Sequence, residues 1–214
     1  VSDLTRATLE LAKSQRTAAE AGIILTAATT AAAFAQDDLV HVADQGDKVL
    51  KAFKRSVNDA NEVFDTLSAV STRSSASLTG LLEGLVIFAP TAKIMNASLE
   101  ESAAVLGVLA ERFPNARLSA QVFRASLDDL TNPSKEAKKA IIDLGLSLGE
   151  VDPRKVGTVG AFRALSDAHI TAAQTSAIFT GRNRDAAVTI LSNIDDLESL
   201  AGATGSVTGE SERL

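Results

Sequence analysis

Apolar residues recur along this chain at intervals of three and four, and polar strings rich in Ser, Thr, Asp and Asn interrupt them. That spacing puts the apolar positions on one face of a helix after another. A first helix starts at Ser2 or Asp3 with Leu4, Ala7, Leu11 and Ala18 on one face, and a second covers about residues 17–34. Asp37 and Asp38 are placed to cap a third, in which Leu39, Val42, Gly46, Val49, Leu50 and Phe53 keep the rhythm. Lys48, Lys51, Lys54 and Arg55 gather near its end, where cations suit the helix dipole. Asn58 reads as the cap of a helix carrying Val63, Phe64, Leu67 and Val70, closed by the polar string 71–77. Ser77 restarts the pattern with Leu78, Leu81, Leu82, Leu85, Val86 and Phe88, until Pro90 kinks or stops it.

The stretch "NASLEESAAVLGVLAERF", residues 96–113, shows the local logic. Ser98 and Glu101 form an S-x-x-E capping box, in which each side chain satisfies a backbone N–H left unpaired by the first helical turn. Leu99, Ala103, Leu106, Ala110 and Phe113 then line one face. Pro114 and Asn115 break the helix, and Ala116, Ala120, Phe123, Leu127 and Leu130 repeat the spacing. Asn132 as cap, with Pro133 at the first helical position, starts another helix with Ala137, Ala140, Ile141 and Leu144 on its face and Gly145 at its end.

Residues 146–159 read as a loop marked by Gly145, Gly149, Pro153, Gly157 and Gly160. Beyond it come a helix near 161–167, one capped by Thr171 with Gln174 in the box position, and one over about 182–200. No alternating run of β-branched residues and no Asn-Gly or Asp-Gly turn suggests a hairpin. The expectation is all-α, a compact array of roughly ten short amphipathic helices without a β-sheet, each of them too short to be stable alone.

Composition refines this picture. Of 214 residues 45% are hydrophobic but only 4% aromatic, all of them Phe, so Ala, Leu and Val make up most of the core and helices pack through small side chains. The net charge of −6 argues against a phosphate-binding surface. With no cysteine there are no disulfides and no thiolate metal sites. The uncharged run 21–36 falls short of a membrane span, is diluted by Thr, and reads as a buried helix. The Gly, Ser and Thr-rich stretch 201–214 reads as linker, and the chain as a fragment of a longer one.

Candidate chemistry is sparse. "GLSLG" (145–149) matches the G-x-S-x-G hydrolase elbow, yet that device needs a strand before the Ser, and here a helix precedes it. His41 and His169 lack the helical spacing to a partner that a metal site requires, Asp37 four residues before His41 being the nearest approach. The doublets Asp37-Asp38, Glu100-Glu101, Asp128-Asp129 and Asp195-Asp196 point about 100° apart on a helix and read as caps and solvated faces. Gly80 and Gly84 form a G-x-x-x-G pair suited to close helix packing in a soluble protein. Lys135, Lys138, Lys139, Arg182 and Arg184 are small basic islands on solvated faces. Nothing calls for a cofactor, a metal or a catalytic residue.

The order of elements is more informative. The run from Ile94 to Leu146, "IMNASLEESAAVLGVLAERFPNARLSAQVFRASLDDLTNPSKEAKKAIIDLGL", is followed by "FRALSD" and "IFTGRNRDAAVTILSNIDDLESL". Together they resemble the core region of bacteriophage tail tape-measure proteins. The positions that carry the resemblance are Ser98 to Leu106 with Glu101, Ala120 with Arg124, Leu130 with Pro133 through Ala137 including Glu136, Leu144-Gly145, and Ile178-Phe179 with Gly181, Arg182, Ala186 and Ala187. Phe113-Pro114, Gln121-Val122 and the extra Thr180 depart from the family pattern. The likeness covers about 58–200, with 1–57 as helices leading into that core and matching more loosely.

The resemblance implies a structural protein of the virion, in the tail lumen or at the tail tip. It implies a protein assembled in the host cytoplasm with tail chaperones and tube and tip subunits, three copies to a tail, that sets tail length and leaves ahead of DNA at ejection. It implies no sequence-specific nucleic acid, and it leaves open contact with the host membrane after ejection. The rival expectation is a non-viral helical scaffolding or interaction module; an inserted hydrolase would make Glu62 or Ser147 its test positions.

Overall fold

One connection, repeated along the chain, turns each of several helices back on its neighbour. The computed structural model describes residues 2–206, with side-chain surroundings for 2–202. Among the described residues it holds thirteen α-helices and no strand. They are α1 (Asp3–Lys13), α2 (Ala18–Ala35), α3 (Leu39–Ala52), α4 (Ala60–Arg73), α5 (Leu78–Met95), α6 (Leu99–Ala110), α7 (Ala116–Thr131), α8 (Lys135–Asp143), α9 (Pro153–Val156), α10 (Thr158–Asp167), α11 (Ala172–Ile178), α12 (Gly181–Ser192) and α13 (Ile194–Ser206).

The helices α1, α2, α3, α5, α8 and α10 end on a residue in the left-handed region: Gln15, Gln36, Lys54, Asn96, Gly145 and His169, with φ between 53° and 79°. In all six the next residue returns its N–H to a carbonyl five positions back: Arg16 to Leu11, Asp37 to Ala32, Arg55 to Leu50, Ala97 to Ala92, Leu146 to Ile141 and Ile170 to Leu165, at 2.8–3.2 Å. The residue after that is a Thr, Asp or Ser that opens the following turn: Thr17, Asp38, Ser56, Ser98, Ser147 and Thr171. At five of them the acid or amide three positions on accepts from the cap's own N–H, as Glu20, Asp59, Glu101, Glu150 and Gln174 do at 2.8–3.4 Å. Three residues therefore close one helix and prepare the next with few backbone groups left unpaired.

The middle residue of each connection ties it to a neighbouring element. Arg16 donates to Asp47 at 2.6 Å, Asp37 accepts from Thr79, and Arg55 reaches Glu62 and, at 3.5 Å, Glu100. Ala97, Leu146 and Ile170 do the same through apolar packing. The result is two layers, with α1, α3, α5 and α7 adjacent in one and α2, α4, α6 and α13 adjacent in the other. The short α8 to α11 and α12 close one end, α12 resting on α7 and α6.

A single hydrophobic cluster runs from Ala7 to Leu200 and crosses position 57, since α2 and α3 pack on α4 and α5. Phe88 stacks on Phe123 at 4.5 Å between α5 and α7. Close approach through glycine is real here: a Cβ on Gly84 would stand 3.1 Å from Leu106, and one on Gly46 only 2.3 Å from the Phe64 ring. The G-x-x-x-G pair thus serves packing within the chain. The helix α6 buries nine of its twelve residues, well beyond the single face expected from its spacing, because α4, α5, α7, α12 and α13 all touch it.

Several sequence expectations are corrected. Leu4 is 53% exposed and Ala18 is exposed, so the buried face of α1 is Ala7 and Leu11. Asn58 lies inside a 3-10 turn, Val57–Asp59, capped by Ser56. Pro90 does not stop α5, which continues five residues past it with the proline ring exposed. Asn132 ends α7, and Ser134 rather than Asn132 caps α8, so Pro133 sits between the two helices. Residues 146–159 contain α9 and the start of α10, and 182–200 is broken at Asn193 into α12 and α13. The last helix also runs to Ser206, into the stretch read as linker, of which 207–214 lies outside the described residues. Starting at Ala18, α2 reaches eighteen residues; it and α5 are long and apolar enough to cross a membrane, with 39% and 56% of their residues buried here.

Two measurements probe this framework. A left-handed conformation costs a residue with a Cβ about 1 kcal/mol, so Lys54→Gly raises the unfolding free energy by about 0.5–1 kcal/mol while Gly145→Ala lowers it by a similar amount in denaturant titration. Asp47 is 1% exposed, and although burial pushes its carboxyl up, hydrogen bonds from Lys51, Ser14 and Arg16 outweigh that and hold it below the usual range. Asp47→Ala costs about 3 kcal/mol at neutral pH. A depressed folded value means the stabilisation is complete above the ordinary Asp range near about 3.9 and is lost as pH falls through the lower folded value, so the gap between wild type and variant closes in acid.

Candidate functional site

The residues singled out from sequence fall into four groups. Ser98 and Glu101 form the expected reciprocal cap of α6, with Ser98 Oγ accepting from the Glu101 N–H at 3.0 Å. Ala120 is buried on α7, and Arg124 projects into solvent 3.8 Å from Asp128. Pro133 bridges α7 and α8, Glu136 occupies the exposed first turn of α8, and Gly145 ends that helix at φ 79°. Phe179 is fully buried and stacks on Phe162 at 6.0 Å, Gly181 begins α12 at φ 53°, and Arg182 is exposed without an ion pair among the described residues.

Two of these groups, far apart in sequence, meet. The helix α12 has no side-chain cap of its own. Asp129, on α7, takes that place from outside: its carboxylate accepts from the Thr180 N–H and, at 3.0 Å, from Asn183 Nδ2. Ser126, one turn earlier, donates to the Asn183 carbonyl at 3.1 Å. The segment from Phe179 to Asn183 is thereby fastened to α7, with the Phe179 ring as its apolar anchor. Burial pushes the Asp129 carboxyl up, aided by neighbouring Asp128, while the bonds from Asn183 and Thr180 oppose the rise. Sequence gave no hint of this clamp, since a short acidic doublet on a helix face looks solvated.

The remaining candidates resolve into structural roles. Ser147 follows the Gly145 hinge, is exposed, and donates its N–H to Glu150 at 2.8 Å, closing a turn rather than topping a strand. His41 Nε2 lies 3.1 Å from Glu83 Oε1, and His169 is a left-handed hinge residue. Glu62 pairs with Arg55. Asp38 caps α3, Glu100 faces Arg55, and Asp195 joins Arg163, so three further doublets serve caps and ion pairs. Among the described residues no three His, Cys, Asp or Glu side chains cluster as a metal site. Lys135, Lys138 and Lys139 lie exposed on α8.

Capped helices stacked in two layers, with distant segments fastened to each other, make the described residues an all-helical body. The chain belongs to the family of phage-related minor tail proteins, whose family model matches residues 1–181. The match takes in the N-terminal helices, where the motifs are loose, and stops one residue short of Arg182. The chain is similar to a tape measure protein of Pneumococcus phage Dp-1, 30% identical over 98 residues, or 46% of this chain and 8% of that protein. It is also similar to a probable tape measure protein of Escherichia phage P2, 29% identical over 99 residues, or 46% of this chain and 12% of that protein. The chain therefore spans about a tenth of the length of these relatives. No solved structure matches it.

The Asp129 clamp is testable by substitution. Asp129→Ala strands the α12 N-terminus and the Asn183 amide and lowers the unfolding free energy by about 1–2 kcal/mol. Asp129→Asn keeps an acceptor without a buried charge and stays within about 0.5 kcal/mol of wild type at neutral pH. Because the raised folded value disfavours the ionised form, the wild type gains on Asp129→Asn as pH falls into the carboxylate range.

Proposed function

We propose that this chain is a folded segment of a tail tape-measure protein, which sets tail length during assembly in the host cytoplasm and is released at DNA ejection. The observation that carries the reading is the family match over residues 1–181 together with two relatives named as tape measure proteins. In this reading the segment sits in the tail lumen or at the tail tip, beside two further copies of itself. Its partners are tube subunits, tip proteins and tail assembly chaperones, and the reading leaves open contact with the host membrane after ejection. Its role is packing rather than catalysis, and the motif positions from Ser98 to Arg182 are structural.

The fold supports a particular part for the segment within such a ruler. As one continuous helix, 205 residues would span about 300 Å at 1.5 Å each, but the hinges fold the chain into two layers instead. The axial length of the ruler then lies in other parts of the longer protein. Electron microscopy of tails assembled from the full-length gene tests this. In-frame deletions in the long remainder shorten tails by about 1.5 Å per helical residue removed, whereas deleting 2–206 shortens them by far less than about 300 Å. Tails of unchanged length after every deletion would overturn the tape-measure reading.

A further inference from the structure

No charged residue lies between Ala21 and Gln36, a run that reads as a buried helix, yet the fold buries only one side of it. At about 100° per residue the exposed positions of α2, from Ala18 to Phe34, fill one unbroken arc of about 160° centred on Thr26. Within it Phe34 is 62% and Ile23 36% exposed. Among the described residues, α2 is the one helix of fourteen or more residues that exposes no charged side chain. The others show Lys48 and Lys51 on α3, Asp65 and Arg73 on α4, Lys93 on α5 and Arg124 on α7.

The threonines of this face add little polarity. Thr26 Oγ1 donates to the Gly22 carbonyl at 2.9 Å and Thr29 Oγ1 to that of Leu25 at 2.7 Å, so both hydroxyl donors are engaged by their own helix. Gly22 stands apart from the glycines at close contacts. A Cβ there would meet no atom within 4 Å, whereas one on Gly46 or Gly84 would crowd a neighbour. Glycine inside a helix is unfavourable relative to alanine, and nothing within this chain requires it at position 22. Its physical use is to let a further helix approach closely.

We propose that the outer face of α2 is a contact between copies of this chain, with α2 packed on α2 of a second copy. The occupant must be uncharged along about 27 Å, the length of eighteen helical residues, and narrow enough to approach at Gly22. The same face of another copy meets both conditions. It also brings together chains of net charge −6 without setting like charges against each other. An arc of this size offers about 500 Å² per copy, so a pair buries about 1,000 Å², the lower bound of a specific interface, and the contact is weak and reversible. A bilayer is the poorer occupant, since 39% of α2 is buried in a fold where it packs on α1, α3 and α4, and it could not span a membrane without leaving them. The inference rests on the tape-measure reading for setting copies side by side, and adds the surface they share.

Sedimentation equilibrium of the whole 214-residue chain tests it. The mass rises from 22.2 kDa in dilute solution toward at least twice that value, with half of the chains associated at on the order of 100 µM. Thr26→Lys, at the centre of the face, sets like charges together and weakens association at least about tenfold, while circular dichroism and melting temperature match wild type. Ala33→Lys, two turns on, repeats that loss, so a folding defect at one position does not decide the result. Gln121→Lys, exposed on α7, changes the net charge equally and leaves association within about twofold. A monomer at every concentration, whether or not phosphatidylcholine vesicles capture it, overturns the proposal. So does undiminished association of Thr26→Lys and Ala33→Lys, or an equal loss with Gln121→Lys. Tail lengths after deletion decide the tape-measure reading separately, so either can fail alone.

Discussion

The fold depends on a three-residue turn that reverses the chain and fixes where the next helix begins. Its left-handed residue closes a helix through a bond five positions back, and its Ser, Thr or Asp two residues later opens the following turn. With only one residue in between, α1 is turned onto α2, α2 onto α3 and α5 onto α6, while α8 and α10 are directed to elements further along the chain. Arg16, Asp37 and Arg55 occupy that middle place and bond to an adjacent helix, so the turn also sets the angle at which layers meet. Five of the six left-handed residues carry a side chain, and each accepts about 1 kcal/mol of strain that the surrounding packing offsets.

This explains which features were legible in the sequence. The caps at Ser98, Thr171 and Asp38 were readable because their partners lie three residues away, and so was the closing role of Gly145. Gln15, Gln36, Lys54, Asn96 and His169 were not, because nothing in a Gln or a Lys announces a left-handed conformation. Asn132 misled because a capping residue serves whichever helix end it meets, and of the two outcomes open to Pro90 the helix does not take the stop, since a proline can bend a helix without ending it.

The candidate site was less visible than the fold. The order of motifs was plain, but the bond that joins Asp129 to Asn183 spans 54 residues, and periodicity says nothing about contacts at that range. Likewise the exposed, uncharged arc of α2 could not be told from a buried face. What sequence did convey was the residue economy of the core, in which Ala, Leu and Val with a few Phe rings let helices approach closely. The close contacts at Gly46, Gly84 and Gly107 are its structural counterpart.

Membership in a phage tail family and a body folded into layers fit together if a ruler has both a rod and folded parts. The turns make the layers, the layers bury α6 and α5, and the small side chains allow dense packing where space is scarce. Small-angle X-ray scattering of the isolated chain tests that claim most directly. A layered body of 214 residues has a radius of gyration of roughly 17–20 Å. A value near about 90 Å, that of a straight helix of this length, would mean the turns do not hold in solution and the account of the fold is wrong.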